Sequence, residues 1–145
     1  AYTLGIPIVA INSLDTMIEQ VKPYVEGDDV LIPMIDARRM EVYLKAITGS
    51  GDEKWDTKPL VIDESSFTDF NEKRKYFFGN GSDKLRDLFT DESVHFKSNI
   101  SPSAISMGIM AYTKFQNQEF EDIAYFEPDY LKEFQTKATT KKFKI

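Results

Sequence analysis

The amino-acid sequence predicts an α/β domain in which a three-stranded antiparallel meander is extended by parallel strands, with helices on both faces. Three observations predict it. Three strand-like runs follow one another between Val30 and Asp63 with only turns between them, the pattern from Ser66 onward alternates helix and strand, and the last helix is apolar on most of its circumference.

The elements follow in order. Ala1 to Leu4 read as the last turn of a helix that Gly5 terminates, and Ile6-Pro7-Ile8-Val9-Ala10-Ile11 as a short buried strand. Ser13 is placed to cap a helix whose Leu14, Met17, Ile18 and Val21 share one face before Pro23 interferes. After the Gly27-Asp28-Asp29 turn, Val30 to Ile35 is a continuous apolar run. It suits a strand covered on both faces or one approaching a sheet edge at Pro33. From Met40 to Thr48 the period is two: Met40, Val42, Leu44 and Ala46 share one face, while Glu41, Tyr43, Lys45 and Thr48 trend to the other. The turn Gly49-Ser50-Gly51-Asp52 leads to a third strand at Thr57 to Asp63.

Beyond Ser66, a short helix near Thr68 to Glu72 precedes a strand at Tyr76-Phe77-Phe78. Ser82 is then expected to cap a helix carrying Leu85, Leu88 and Phe89, with a strand following at Val94-His95-Phe96. Ser101 as cap and Pro102 at the first position open the longest helix. Its Ala104, Ile105, Gly108, Ile109, Ala111, Tyr112 and Phe115 predict burial between layers. From Val30 the order is β-β-β-α-β-α-β-α, that of a ribonuclease-H-like domain. Three segments result: residues 1–27 as the closing strand and helix of a preceding, missing half, 28–118 as the ribonuclease-H-like domain, and 119–145 as a C-terminal segment with a basic tail.

Composition narrows the function. The chain has 145 residues, room for one domain with a real core, and a net charge of −6, which disfavours a general attraction to nucleic acid. Local contrast exists: Lys132 to the end holds five Lys against Glu133, whereas Glu119 to Asp129 holds five acids and no base. The tail reads as solvated. With no cysteine, disulfides, thiolate nucleophiles and zinc-thiolate sites are excluded, and a reducing cytoplasm fits. A single histidine, His95 in a strand-like setting, rules out two-histidine metal sites. No cofactor and no membrane segment are expected.

The most informative stretch is Asp36-Ala37-Arg38-Arg39-Met40-Glu41-Val42-Tyr43, which sets charges between two strands. It reads as the polar loop of a hairpin or as an ion-paired bracing or recognition cluster, since Arg holds a carboxylate through two parallel hydrogen bonds. Gly79, Asn80, Gly81 and Ser82 offer a weak candidate for phosphate or nucleotide binding. The loop has no phosphate-loop Lys and no third glycine, and Asp83 adds a negative charge. Asp63-Glu64 and Asp69 with Glu72 are carboxylates in helix-capping company, and Trp55 is either a lid over the core edge or a contact aromatic.

Leu4-Gly5-Ile6-Pro7, Ile11-Asn12-Ser13-Leu14, Asp36-Ala37-Arg38 with Glu41-Val42-Tyr43, Gly79-Asn80-Gly81, and Pro128-Asp129-Tyr130-Leu131-Lys132 occur in the order and at the spacings of the TsaB (YeaZ) family. The chain resembles the second half of that family and lacks its N-terminal Thr-Gly-rich motif. The resemblance implies an actin-like (ASKHA) fold of two ribonuclease-H-like halves. It also implies a non-catalytic role: binding of TsaD and, with TsaE, modification of tRNA with threonylcarbamoyladenosine. Self-association as a homodimer is implied as well. Contact with tRNA would be indirect or through the basic tail, and the older peptidase naming finds no support in a chain with one histidine. Asp36, Arg38, Arg39, Glu41, Tyr43, Tyr130 and Leu131 are then candidates for bracing or partner contact, with no catalytic residue. The alternative is a nucleotide-binding enzyme of the actin-like superfamily, with nucleotide near Gly79 to Ser82 and a metal on Asp36 or Asp63. Loss of a neighbouring half should uncover apolar surface around Ile6 to Ile11 and on the helix of Met17 and Val21.

Overall fold

The computed structural model describes residues 1–70, 73–128 and 131. Among them, five strands form one mixed sheet: β1 (Val30–Asp36), β2 (Glu41–Thr48), β3 (Glu53–Val61), β4 (Lys75–Phe78) and β5 (Val94–Lys97). Their order is β3-β2-β1-β4-β5, with β1, β2 and β3 antiparallel and β4 and β5 parallel to β1. This is the expected meander extended by parallel strands.

Strand β1 is central, so the sheet-edge reading of Pro33 gives way to coverage on both faces. Val30 and Leu31 lie opposite Thr48 and Ile47, and pairing resumes at Met34 opposite Leu44. The gap falls at Pro33, which has no N–H to donate. Strand β3 begins at Glu53, four residues before the expected Thr57, because the turn after β2 is short and Trp55 pairs opposite Ala46.

Helix α1 (Ser13–Val21) covers one face, burying Leu14, Met17, Ile18 and Val21 against Leu31, Ile47, Tyr76 and Phe78. Its cap is Asn12, not Ser13: the Asn12 side chain accepts from Leu14 N–H at 2.9 Å. Because Met17 and Val21 are fully covered by the sheet, the expectation that they form an uncovered surface is corrected. The opposite face packs Val30, Ile32, Met34, Val42, Leu44 and Phe77 under Phe67, Phe70 and Leu85. Here the covering segments are 3-10 turns, Thr68–Phe70 and Asp83–Leu85, where α-helices were expected. The Ser82 hydroxyl donates to Gly79 O at 2.8 Å and so caps nothing. Trp55 packs on Phe67 and Phe70 at ring separations of 5.8 and 4.8 Å, a lid over this core.

Two further expectations are corrected. Residues 6–11 form no strand; Ile8 makes a single bridge to Glu121, since no neighbouring strand among the described residues offers a ladder. Helix α2 (Ala104–Gln116) is capped by Ser103, not Ser101, and has no buried residue. It packs beside α1, where Ser103 N–H donates to Thr16 Oγ1 at 3.4 Å; Ser106, Met110, Ala111 and Lys114 are half-buried, while Ile105, Ile109 and Tyr112 are 78%, 66% and 66% exposed. A helix apolar all round has only one side to lay on α1, so the rest of its apolar surface faces outward.

Buried charges tie the elements together. Lys45 Nζ pairs with Asp15 Oδ1 of α1 at 2.9 Å and with Glu53 at 3.2 Å; burial opposes its charge, but these bonds prevail and raise its pKa. Buried Asp29 holds Arg74 through two hydrogen bonds of 2.8 and 3.2 Å and accepts from Glu26 N–H, fixing the start of β1 beside β4.

Candidate functional site at the first hairpin

The turn between β1 and β2 has an unusual backbone: Arg38 has φ 74° and Arg39 φ 49°. Left-handed conformation crowds the Cβ of an L-residue at a cost of roughly 1–2 kcal/mol each, so two successive arginines there need support. Ala37 N–H donates to Glu41 O and Glu41 N–H to Arg38 O, both at 3.1 Å. Asp36 Oδ1 accepts from Arg38 N–H at 3.2 Å and forms a close ion pair with Lys84 Nζ, which also donates to Glu41 O at 2.7 Å. Lys84 therefore ties both strands of the hairpin. Its bond to Asp36 outweighs burial and holds that carboxyl below the ordinary carboxylate value.

The glycine turn after β4 belongs to the same unit. Parallel pairing of β4 with β1 sets Phe78 opposite Pro33 and carries the next residues alongside Met34 to Asp36. Asn80 Oδ1 accepts from Asp36 N–H at 3.0 Å, and Gly81 N–H donates to Met34 O at 3.1 Å. Gly79 has φ 94°, and a Cβ there would fall 2.2 Å from Met34 O; one at Gly81 would lie 3.0 Å from the Val42 side chain. These glycines allow the two backbones to touch. Ser82 N–H donates to Gly79 O at 3.1 Å. The Asn80 side-chain oxygen, the Gly81 N–H, and the Ser82 N–H and hydroxyl are thus engaged within the protein, and two motifs separate in sequence form one braced corner.

The other candidates lie apart from it. Tyr43, half-buried, lines a cavity of about 770 Å³ at the start of α1, together with Asn12, Thr57, Lys114, Phe126 and Leu131. Asn12 donates to Thr57 Oγ1 at 2.9 Å and Lys114 to Ala10 O at 3.2 Å across this cavity wall. Tyr130, Glu72 and the lysines from Lys132 on lie outside the described residues. Asp63 accepts from Ser65 N–H and from the Ser65 and Ser66 hydroxyls; these bonds lower its pKa and cap a turn. His95 stacks on Tyr76 at 5.1 Å. Among the described residues no cluster of His, Asp and Glu is arranged to hold a metal ion, and no helix is long and apolar enough to cross a membrane.

Lys84 is the residue of this corner that the sequence did not reveal. Nothing near it in sequence marks it, and only the parallel register of β1 and β4 would bring residues of the eighties to Asp36.

No protein-family model and no curated protein matches the chain. Solved structures do. One, described as an uncharacterized protein with similarity to peptidase YEAZ from Pseudomonas aeruginosa, superposes with a TM-score of 0.66 at 18% identity, covering 91% of this chain and 62% of that one. YeaZ from Pseudomonas aeruginosa superposes with a TM-score of 0.64 at 18% identity, covering 90% of this chain and 62% of its own. The chain thus spans less than two thirds of their length. At this identity the likeness establishes architecture: the chain has the fold of the YeaZ structures over nearly all of its length, a mixed five-stranded sheet of ribonuclease-H-like α/β type.

Proposed function

We propose that this chain belongs to a TsaB (YeaZ)-type protein and serves as a non-catalytic part of the assembly that places a threonylcarbamoyl group on adenosine of tRNA, scaffolding TsaD together with TsaE in the cytoplasm. The observation that carries the reading is the union of the Asp36-Ala37-Arg38 and Gly79-Asn80-Gly81 motifs in one corner, through Asn80 and Asp36, on a sheet with the YeaZ fold. The apolar face of α2 is, on this reading, the seat of a preceding half of the protein, as the 62% coverage of the YeaZ chains supports. Co-purification of the full-length parent with TsaD, and loss of the modified nucleoside from tRNA when the parent is deleted, are the expected results. Normal nucleoside levels in the deletion strain would overturn the proposal. Calorimetry with ATP and Mg²⁺ should register no heat, and a saturable signal would favour the actin-like enzyme instead.

A further inference from the structure

The Arg38 and Arg39 side chains are exposed and have no carboxylate partner among the described residues. Nearby Asp36 is held by Lys84. Left-handed positions favour Gly or Asn, yet arginines occupy both, and no contact made by their guanidinium groups accounts for it. Beside them, Met40 and Val61 are 36% and 65% exposed, and together these residues border a cleft of about 540 Å³. Arginine and methionine beside an apolar contact is a composition enriched in protein–protein interfaces.

We propose that this hairpin tip is a docking surface for an acidic segment of a protein partner, whose carboxylates pair with Arg38 and Arg39 while a neighbouring apolar side chain sits on Met40 and Val61. The two guanidinium groups complement carboxylates, and the adjoining Met40 and Val61 give the apolar side chains of a protein segment a seat that a phosphate backbone would leave unused. Asp36, Asn80 and Lys84 act beneath the surface as positioning residues, and the surface would serve whether or not the partner belongs to a tRNA-modifying assembly.

The test is an NMR titration of the isotope-labelled full chain with three probes: an acetylated Leu-Glu-Glu-Leu tetrapeptide amide, its Leu-Gln-Gln-Leu counterpart, and a short oligouridylate. The Met40 and Val61 methyl signals and the Arg38 and Arg39 Nε–H signals should move with the acidic peptide. Affinity should fall at least about tenfold for the glutamine peptide and for the Arg38→Asn/Arg39→Asn double variant. Asparagine tolerates the left-handed backbone, so an unchanged Asp36 amide shift certifies that the variant keeps its fold. Three results would overturn the proposal: no movement at the tip up to about 10 mM peptide, equal response to the glutamine peptide, or a stronger response to the oligouridylate. Failure of the parent to bind TsaD, with the titration positive, would remove only the tRNA-modification reading.

Discussion

The side-chain oxygen of Asn80 accepts the backbone N–H of Asp36 at 3.0 Å, joining residues 44 positions apart. Asn80→Ala deletes that acceptor and should lower stability by about 0.5–1.5 kcal/mol. Hydrogen exchange at the Asp36 amide should accelerate with it, while Asn80→Asp, which keeps an acceptor, should lose less. Urea unfolding and amide exchange together check this; an unaltered Asp36 amide in the alanine variant would refute it.

Arg38→Gly and Arg39→Gly should each stabilise the protein by roughly 0.5–1 kcal/mol, because glycine adopts the left-handed backbone without a Cβ clash. Most surface substitutions to glycine do the opposite. A lowered melting temperature in both variants would show that the turn carries no strain.

Stability should fall on the acid side. Asp36 is held below 3.8 chiefly by Lys84, Asp28 by Lys73, Asp63 by Ser65 and Ser66, and Asp91 by Ser93. A carboxyl depressed in the folded state contributes stability that is full above its unfolded pKa and lost as pH falls through the folded one, so the decline begins near about pH 4. Lys84→Met should flatten it. On the alkaline side, Lys45 is raised, so its contribution is full below 10.5 and lost as pH climbs through its folded value. Lys75 is lowered by burial, so folding gains between its folded pKa and 10.5. Chemical denaturation across pH checks both limbs.

The outward face of α2 should drive association. Sedimentation at rising concentration should show dimers or larger species, and replacing Ile105 and Ile109 by Glu should restore a monomer with little loss of stability, since both are already exposed. A clean monomer for the unaltered chain at high concentration would contradict this.

Much of the architecture was legible in the residues. The period-two run of β2, the apolar run of β1 and the turns between them predict the meander, because covering a sheet face imposes that alternation. What was not legible depended on neighbours. Leu85, Leu88 and Phe89 have helical spacing, but the connection from β4 to β5 closes as a 3-10 turn under the Phe67–Phe89 ring contact of 5.4 Å. In α2 the pattern of apolar residues reports affinity for a packed surface and not whether one is present. At the candidate site, Asp36 and the glycine turn each stood out by composition, but their union rests on a strand register that no local pattern contains, and Lys84 gave no signal.

The central place of β1 has a consequence for the order in which the molecule assembles. Strands β1 and β2 are neighbours in the chain, whereas β4 pairs with β1 from 45 positions away, Val30 against Lys75. Loop closure favours the nearer pairing, which predicts that the hairpin and its left-handed arginines take shape before Asn80 and Lys84 arrive to clamp them. Those two residues therefore act as a late latch: changing them should leave the folding rate nearly untouched and show itself as faster unfolding.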